Sequence, residues 1–280
     1  LRIFIAGGSG VLGRAAIPHL IAAGHEVTAT TRSTTKAVLL RRLGARPVIV
    51  DAFERSALLA VVHEARPEAM VHLLTDLTTG DSASNALLRT TGTRNLVAAA
   101  RHAGVRRIVA ESISWVYPSG DLPADETDRL DLNAAEPRRT TIAAVNDLET
   151  AVLEFPDGVV LRFGQVYGPG TWFSREGRFG QDARAGRLAA TETVASFIHI
   201  SDTARAVLLA LGWAAGIWNI VDDEPAAGTQ WVPRFAAAVD APHPAVSNAG
   251  DVGRPVSNAR AHDSGFDLGY PSWREGFQTL

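Results

Sequence analysis

The sequence predicts an α/β fold built on a doubly wound parallel sheet. Three observations carry that expectation. Short β-branched apolar runs alternate with helical patterns through the first half of the chain. The runs are apolar at successive positions, as strands covered on both faces must be. The first run also opens directly onto closely spaced glycines.

The elements follow in order. Arg2 to Ala6 reads as a buried strand, and Val11 to Ala23 as a helix with Val11, Leu12, Ala15, Ala16, Leu20 and Ile21 inward, stopped by Gly24. Pro18 lies too deep in that helix to be a first-turn proline and should cost stability or introduce a kink. Glu26 to Thr30, Pro47 to Val50, Ala69 to Leu74, Arg107 to Ala110 and Val159 to Phe163 read as further strands. Asn85 to Ala103 has the period of one long amphipathic helix ending at Gly104, and Ser201 to Trp213 that of another. Gly168 to Gly186 suggests a loop and short helices, and the last sixty or so residues, rich in Pro, Gly and Asn, a less regular lobe.

Composition bounds the function. The 280 residues include 27 basic and 30 acidic side chains, a net charge of −3, with 46% hydrophobic and 20% charged residues. That balance is globular, and its weakly acidic total argues against nucleic acid as a partner. With no cysteine, disulfides, thiolate metal sites and cysteine nucleophiles are excluded. The histidines show no metal spacing. No apolar run reaches the roughly 18 residues of a membrane helix. The N-terminal run has no signal-peptide layout, so a cytoplasmic location is expected.

Gly7-Gly8-Ser9-Gly10-Val11-Leu12-Gly13 lies between the first strand and the first helix. Glycines at 7, 10 and 13 let the backbone turn tightly and approach a pyrophosphate, which the helix N-terminus then holds. In this strand–turn–helix context the motif indicates dinucleotide binding through Gly7, Ser9, Gly10, Val11, Leu12 and Gly13. A carboxylate at the end of the second strand would favour NAD. The chain reads Thr30-Thr31-Arg32-Ser33 there, and Arg32 suits a 2′-phosphate, assisted by Ser33 and by Lys36, the only lysine. NADPH is therefore the expected cofactor. The whole reads as a Rossmann-type doubly wound parallel sheet with a smaller, less regular C-terminal substrate lobe. The NADP-binding domain is expected over residues 1–165, with 194–222 returning to it, and the substrate lobe over 166–280.

These features resemble the extended short-chain dehydrogenase/reductases, the NAD-dependent epimerase/dehydratase group, over nearly the whole chain. Asp51 and Ala52 follow the third strand, where the family holds the adenine. Val71-His72-Leu73-Leu74, continuing to Thr75, resembles the family's fourth strand, which ends beside the cofactor. Arg107 to Tyr117 resembles the fifth strand and the catalytic-serine region. Leu161 to Gly170, with Gly164, Gln165 and Val166, resembles the segment passing the nicotinamide, and Phe197 to Ala204 a signature opening a helix near the second lobe.

The chain departs from the family at its chemistry. The family uses a tyrosine and a lysine four residues later, where the lysine lowers the tyrosine pKa and the tyrosine moves the proton at the substrate oxygen. Aligned through Glu149, those positions are Thr141 and Val145. Lys36 has Arg32 four residues before it, so the pair exists nowhere in the sequence. The family's serine position is Ile113, flanked by Ser112 and Ser114, which are weak catalytic candidates. Hydride transfer remains possible by proximity to a bound cofactor. Ser112, Ser114 or Thr141 could hydrogen-bond the substrate oxygen, Tyr117 or Tyr167 could act from another direction, or the substrate could supply its own proton from a phenol beside a ketone.

Ser114, Trp115, Tyr117, Tyr167, Trp172 and Phe173, with Phe179 and Phe197, come from segments expected to converge on a pocket for a flat apolar substrate. The expectation is an NADPH-dependent ketoreductase acting on a polycyclic aromatic, polyketide-type ketone, similar to atypical family members such as the angucyclinone ketoreductases of antibiotic pathways. A non-catalytic NADP(H)-binding sensor is the rival, and a nucleotide-sugar epimerase or dehydratase ranks lower because it needs an acid/base at the same place. The chain is expected to be a monomer or a homodimer, the latter pairing through helices near Asn85–Ala103 and Thr141–Glu154, with Val145 and Leu148 suited to the contact.

Overall fold

The computed structural model describes residues 1–75, 82–250 and 253–280. In chain order the first elements are β1 (Arg2–Ala6), α1 (Val11–Ala22), β2 (Glu26–Thr31), α2 (Thr34–Arg42), β3 (Arg46–Ile49), α3 (Arg55–Ala65) and β4 (Ala69–His72). Then come α4 (Ser82–Leu87), a π-helical turn (Leu88–Gly92), α5 (Thr93–His102), β5 (Arg107–Ile113), α6 (Arg138–Leu153) and β6 (Gly158–Phe163). The remainder comprises β7 (Gln165–Tyr167), α7 (Arg178–Arg184), β8 (Val194–Ala195), β9 (Phe197–His199), α8 (Ile200–Leu209), β10 (Gly216–Ile220), β11 (Ala226–Ala227), α9 (Gly228–Ala238), α10 (Ala259–Asp263) and α11 (Trp273–Gly276).

Among the described residues, seven strands form the main sheet in the order β10-β6-β5-β4-β1-β2-β3. β1 runs parallel to both β2 and β4, β2 to β3, and β4 to β5. The winding direction reverses between β1 and β4, and ligands of such sheets bind at the carboxyl ends of the strands beside that point.

The chain forms two compact units. The first comprises Leu1–Ser112, Asp131–Leu161 and Ala204–Ile217, the second Ile113–Leu130, Arg162–Thr203 and Trp218–Leu280. The division therefore differs from a break at residue 165: residues 113–130 group with the second unit, and the returning segment is 204–217. The first unit's core packs Phe4 and Met70 of β1 and β4 with Val62, Ile108, Leu148 and Val152. The second is an aromatic cluster of Tyr167, Phe173, Phe197, Trp231, Phe235, Trp273 and Phe277, with many ring pairs edge-on, as aromatic quadrupoles prefer.

Some local expectations are revised. The long helix over Asn85–Ala103 is interrupted by the π-helical turn Leu88–Gly92, an insertion that the apolar period alone does not reveal. The fifth strand continues past Ala110 to Ile113. Val145 and Leu148 do not offer a pairing surface; they are 0% and 2% exposed and belong to the first unit's own interior. The groove that α5 and α6 do leave open, about 400 Å³, is lined by Arg94, Arg101, Asp147 and Glu154 among smaller residues, with Arg94 and Asp147 paired at 3.0 Å.

Helix α1 runs through Pro18, which is exposed, as is Arg14, the residue whose carbonyl loses its helical partner. Replacing Pro18→Ala restores that bond at a solvated site and should stabilise the fold by up to about 3 kcal/mol. The measurement is the urea unfolding midpoint; an unchanged or lower midpoint would show that the ring contributes packing instead.

Candidate functional site

In the first unit, Gly7 adopts φ +89°, and a Cβ there would lie 2.5 Å from the Leu73 carbonyl oxygen. A Cβ on Gly13 would lie 2.5 Å from the Gly7 oxygen, and one on Gly10 3.2 Å from it. The turn after β1 thus closes onto the end of β4 with room for backbone only. The Gly7 N–H donates to Thr30 Oγ1 at 3.2 Å and Ser9 Oγ donates to Thr31 Oγ1 at 3.1 Å, tying the turn to β2. No side chain caps α1, whose N-cap is Gly10. Its first N–H groups, at Val11, Leu12 and Gly13, therefore head a helix whose dipole favours an anion. This cradle fits the pyrophosphate of a dinucleotide.

At the far end of the cradle Arg32 is exposed just past β2, with Nη1 3.9 Å from Asp51 Oδ2. Asp51 Oδ1 accepts from the Phe53 N–H at 3.0 Å, and the carbonyl oxygen of the buried Ala52 accepts from Asn95 Nδ2 at 2.9 Å. Ser33 is less available than expected: its hydroxyl accepts the Lys36 N–H as the N-cap of α2. Lys36 itself is exposed. Leu73 is buried, while Leu74 and Thr75 are half-buried at the carboxyl end of β4. The Leu74 N–H donates to His72 Nδ1 at 3.2 Å, so the ring hydrogen sits on Nε2 and is given to Thr93 Oγ1 at 2.8 Å. Burial, aided by Arg89, holds His72 down to about 4 and therefore neutral.

β5 and α6 bring together a group that sequence reasoning did not assemble. Ser112 Oγ donates to Glu149 Oε1 at 2.6 Å, both residues being buried. Arg89, from the π-helical turn, lies with Nη2 3.9 Å from Glu111 Oε1. Glu149 stands one turn after Val145, the position where the family's lysine is missing. The hydroxyl of Ser112 is thus committed inward and is no proton donor to a substrate as it stands. Arg89 carried no sequence signal, because the π-turn that inserts it is invisible to a regular helical period.

The other expected residues lie in the second unit. Gly164 is needed for packing: a Cβ there would sit 2.7 Å from the Ser196 oxygen. Gln165 donates its N–H to that same oxygen at 2.8 Å, and Val166 pairs with Ile198 in the β7–β9 ribbon. Ser114 is buried, its N–H given to the Phe163 oxygen at 2.8 Å, whereas Trp115 is exposed. Trp172 is half-buried, with the Arg178 guanidinium 5.3 Å from its ring. Phe173 and Phe197 are interior to the aromatic cluster, and Phe179 stacks on Phe173 at 4.3 Å.

Neither tyrosine is placed to replace the missing acid. Tyr117 Oη donates to Asn219 Oδ1 at 2.8 Å and accepts from Arg162 Nη1 at 2.7 Å, while burial pushes its pKa up. Tyr167 is fully buried against Gly276, and burial followed by the nearby Asp222 charge raises its pKa far above the usual phenol value. A phenol made less acidic and enclosed by protein is a poor proton source. Among the described residues, no group of three or more His, Asp or Glu is placed to hold a metal ion, and no helix is long and apolar enough to cross a membrane.

The comparisons with known proteins agree with this architecture. Residues 3–220 match the family model "NAD dependent epimerase/dehydratase family". The chain belongs to that family, as an atypical extended short-chain dehydrogenase/reductase without the tyrosine–lysine pair. It is 37% identical, over an alignment of 304 positions covering 99% of both chains, to a 3-diazoavenalumate denitrifying reductase of a Streptomyces species. It is 34% identical over 137 positions, 46% of this chain and 39% of the relative, to a 4-hydroxy-2-methyl-3-oxo-4-farnesyl-3,4-dihydroquinoline-1-oxide ketoreductase of Stigmatella aurantiaca. Its fold matches Bordetella bronchiseptica WbmG in complex with NAD and UDP, with a TM-score of 0.82 at 22% identity over 99% of this chain and 92% of that one.

Glu111 supplies a test of the buried group. Burial pushes its carboxyl up to about 7, with Arg89 opposing. A carboxyl whose folded-state pKa is raised contributes stability that is complete below its unfolded value and is lost as pH climbs through the folded one. The melting temperature of the wild type, measured relative to Glu111→Gln, should therefore fall between about pH 5 and about pH 8. Asp222 and His72 titrate in both proteins and cancel in the difference. A flat difference would mean that Glu111 is ionised in the folded protein throughout.

Proposed function

We propose that the protein is an NADPH-dependent reductase of an aromatic substrate whose hydride-accepting group needs no proton from the protein. The observation that carries this reading is the lack of any tyrosine–lysine pair, together with two buried tyrosines that cannot substitute for it. When bound, NADPH supplies the hydride. The glycine cradle of residues 7–13 holds its pyrophosphate, and Arg32 with Lys36 meets the 2′-phosphate.

An arenediazonium ion satisfies this condition. Hydride addition at its terminal nitrogen gives an aryldiazene; its N–H proton leaves, N2 departs and the ring carbon takes up one proton. One proton is released and one consumed, so atoms and charge balance with no net demand on a general acid, which elsewhere contributes about 10²- to 10⁴-fold. The full-length similarity to the denitrifying reductase favours this acceptor. The second reading is ketone reduction, with the proton given by a phenol beside the carbonyl; the partial similarity to a ketoreductase favours it.

The experiment follows reduced-nicotinamide absorbance with NADPH and NADH in parallel, offering 3-diazoavenalumate and polycyclic aromatic ketones with and without a neighbouring phenol. The expected result is NADPH oxidation matched one-to-one by N2 release. Oxidation only with phenol-bearing ketones would favour the second reading. A protein that binds NADPH and oxidises it with none of them would overturn both and leave the sensor.

Cofactor choice has its own test. Arg32→Ala removes a charge-assisted contact and should raise the NADPH dissociation constant by roughly 10- to 100-fold. The NADH constant should stay near its wild-type value. Equal losses for both cofactors would mean that Arg32 does not read the 2′-phosphate.

A further inference from the structure

The group around Arg89 has no place in the cofactor cradle, and its chemistry is costly. Arg89, Glu111 and Glu149 are 4%, 7% and 4% exposed. Buried ion groups of this kind gain little stability over apolar side chains of the same volume, whereas breaking one is strongly destabilising. Glu111 Oε2 is fully buried with no hydrogen-bond partner, so the group is not even optimised as a structural network. The cation arrives on a π-helical turn, a backbone feature that concentrates at functional sites. It interacts electrostatically with Glu111 and with Glu149. Glu149 in turn takes the hydrogen of Ser112, in the strand-five segment beside Ile113. One turn before Glu149, Val145 is wholly enclosed and apolar.

We propose that Arg89 supplies, from the π-helical turn, the buried cation that α6 lacks at Val145, and that Arg89 and Glu149 are positioning residues that fix the Ser112 hydroxyl. The guanidinium interacts with both carboxyl groups and ties them to the π-helical turn. Glu149 then holds Ser112 Oγ–H turned inward, leaving that oxygen with acceptor capacity only. This rests on the reductase reading above and adds to it the means by which the end of β5 is held without a lysine.

The test compares wild type with Arg89→Lys, Arg89→Met, Glu149→Gln and Ser112→Ala, reading kcat with 3-diazoavenalumate, the melting temperature and the fluorescence of bound NADPH. Misplacement of a positioned group costs roughly 10²-fold in kcat, and that loss is expected for Arg89→Met and Glu149→Gln, with recovery in Arg89→Lys. Because Arg89→Met leaves two carboxylates uncompensated and is prone to unfolding, the isosteric Glu149→Gln carries the decision. In a Ser112→Ala background it should cause no further loss of kcat, since residues that act through one another are not additive. The emission of bound NADPH should shift alike in Glu149→Gln and Ser112→Ala. A melting temperature that falls while kcat and emission stay at wild-type values would overturn the proposal and assign the group to folding alone. So would losses that add to those of Ser112→Ala. Should the wild type bind NADPH but reduce no substrate, the reductase reading fails while the emission comparison still decides this one.

Discussion

A single backbone oxygen, that of Leu73, governs how closely the first turn can approach the end of the fourth strand. It stands 2.5 Å from where a Cβ of residue 7 would be, so only glycine admits the approach. That approach places the start of α1 beside the point where the sheet reverses direction, and everything downstream inherits it. The N–H groups of α1 can face an anion only because no side chain stands between them and the end of β4. Arg32 and Asp51 are brought beside one another because β2 and β3 follow in register from β1. A larger residue at the turn would change the spacing of the sheet as well as the cradle.

The chemistry turns on what has been removed. Thr141 and Val145 take the place of a proton donor and its cation, and the phenols of Tyr117 and Tyr167 are hydrogen-bonded or enclosed within the second unit. An acceptor that ends the reaction as a neutral gas and a C–H bond makes no net demand on such groups, whereas an alkoxide does. On the proposed reading the omission itself selects the substrate, and a buried cation is still present in the first unit as Arg89.

Much of this was legible in the sequence. The parallel sheet, the glycine turn and the loss of the tyrosine–lysine pair follow from periodicity, spacing and a single lysine in the whole chain. The less legible parts have physical causes. The π-turn at Leu88–Gly92 inserts a residue without altering composition, so Arg89 reads as an ordinary helical charge until its burial is known. Val145 and Leu148 are apolar at positions that suit either an interface or an interior, and only packing distinguishes the two. The aromatic residues Tyr167, Phe173 and Phe197 look like a substrate mouth in the sequence because flat apolar rings serve both purposes; in the second unit they form its interior.

That interior also bears on synthesis. Its rings are drawn from β7 and the segment just beyond it, from β9 and α9, and from Trp273 and Phe277 near the end of the chain. Tyr167 meets Gly276 so closely that no side chain fits between them. On a ribosome, the second unit has most of its aromatic residues in hand long before the two that complete the cluster emerge. The nascent chain therefore carries an unfinished apolar surface from the emergence of β7 until Trp273 and Phe277 follow.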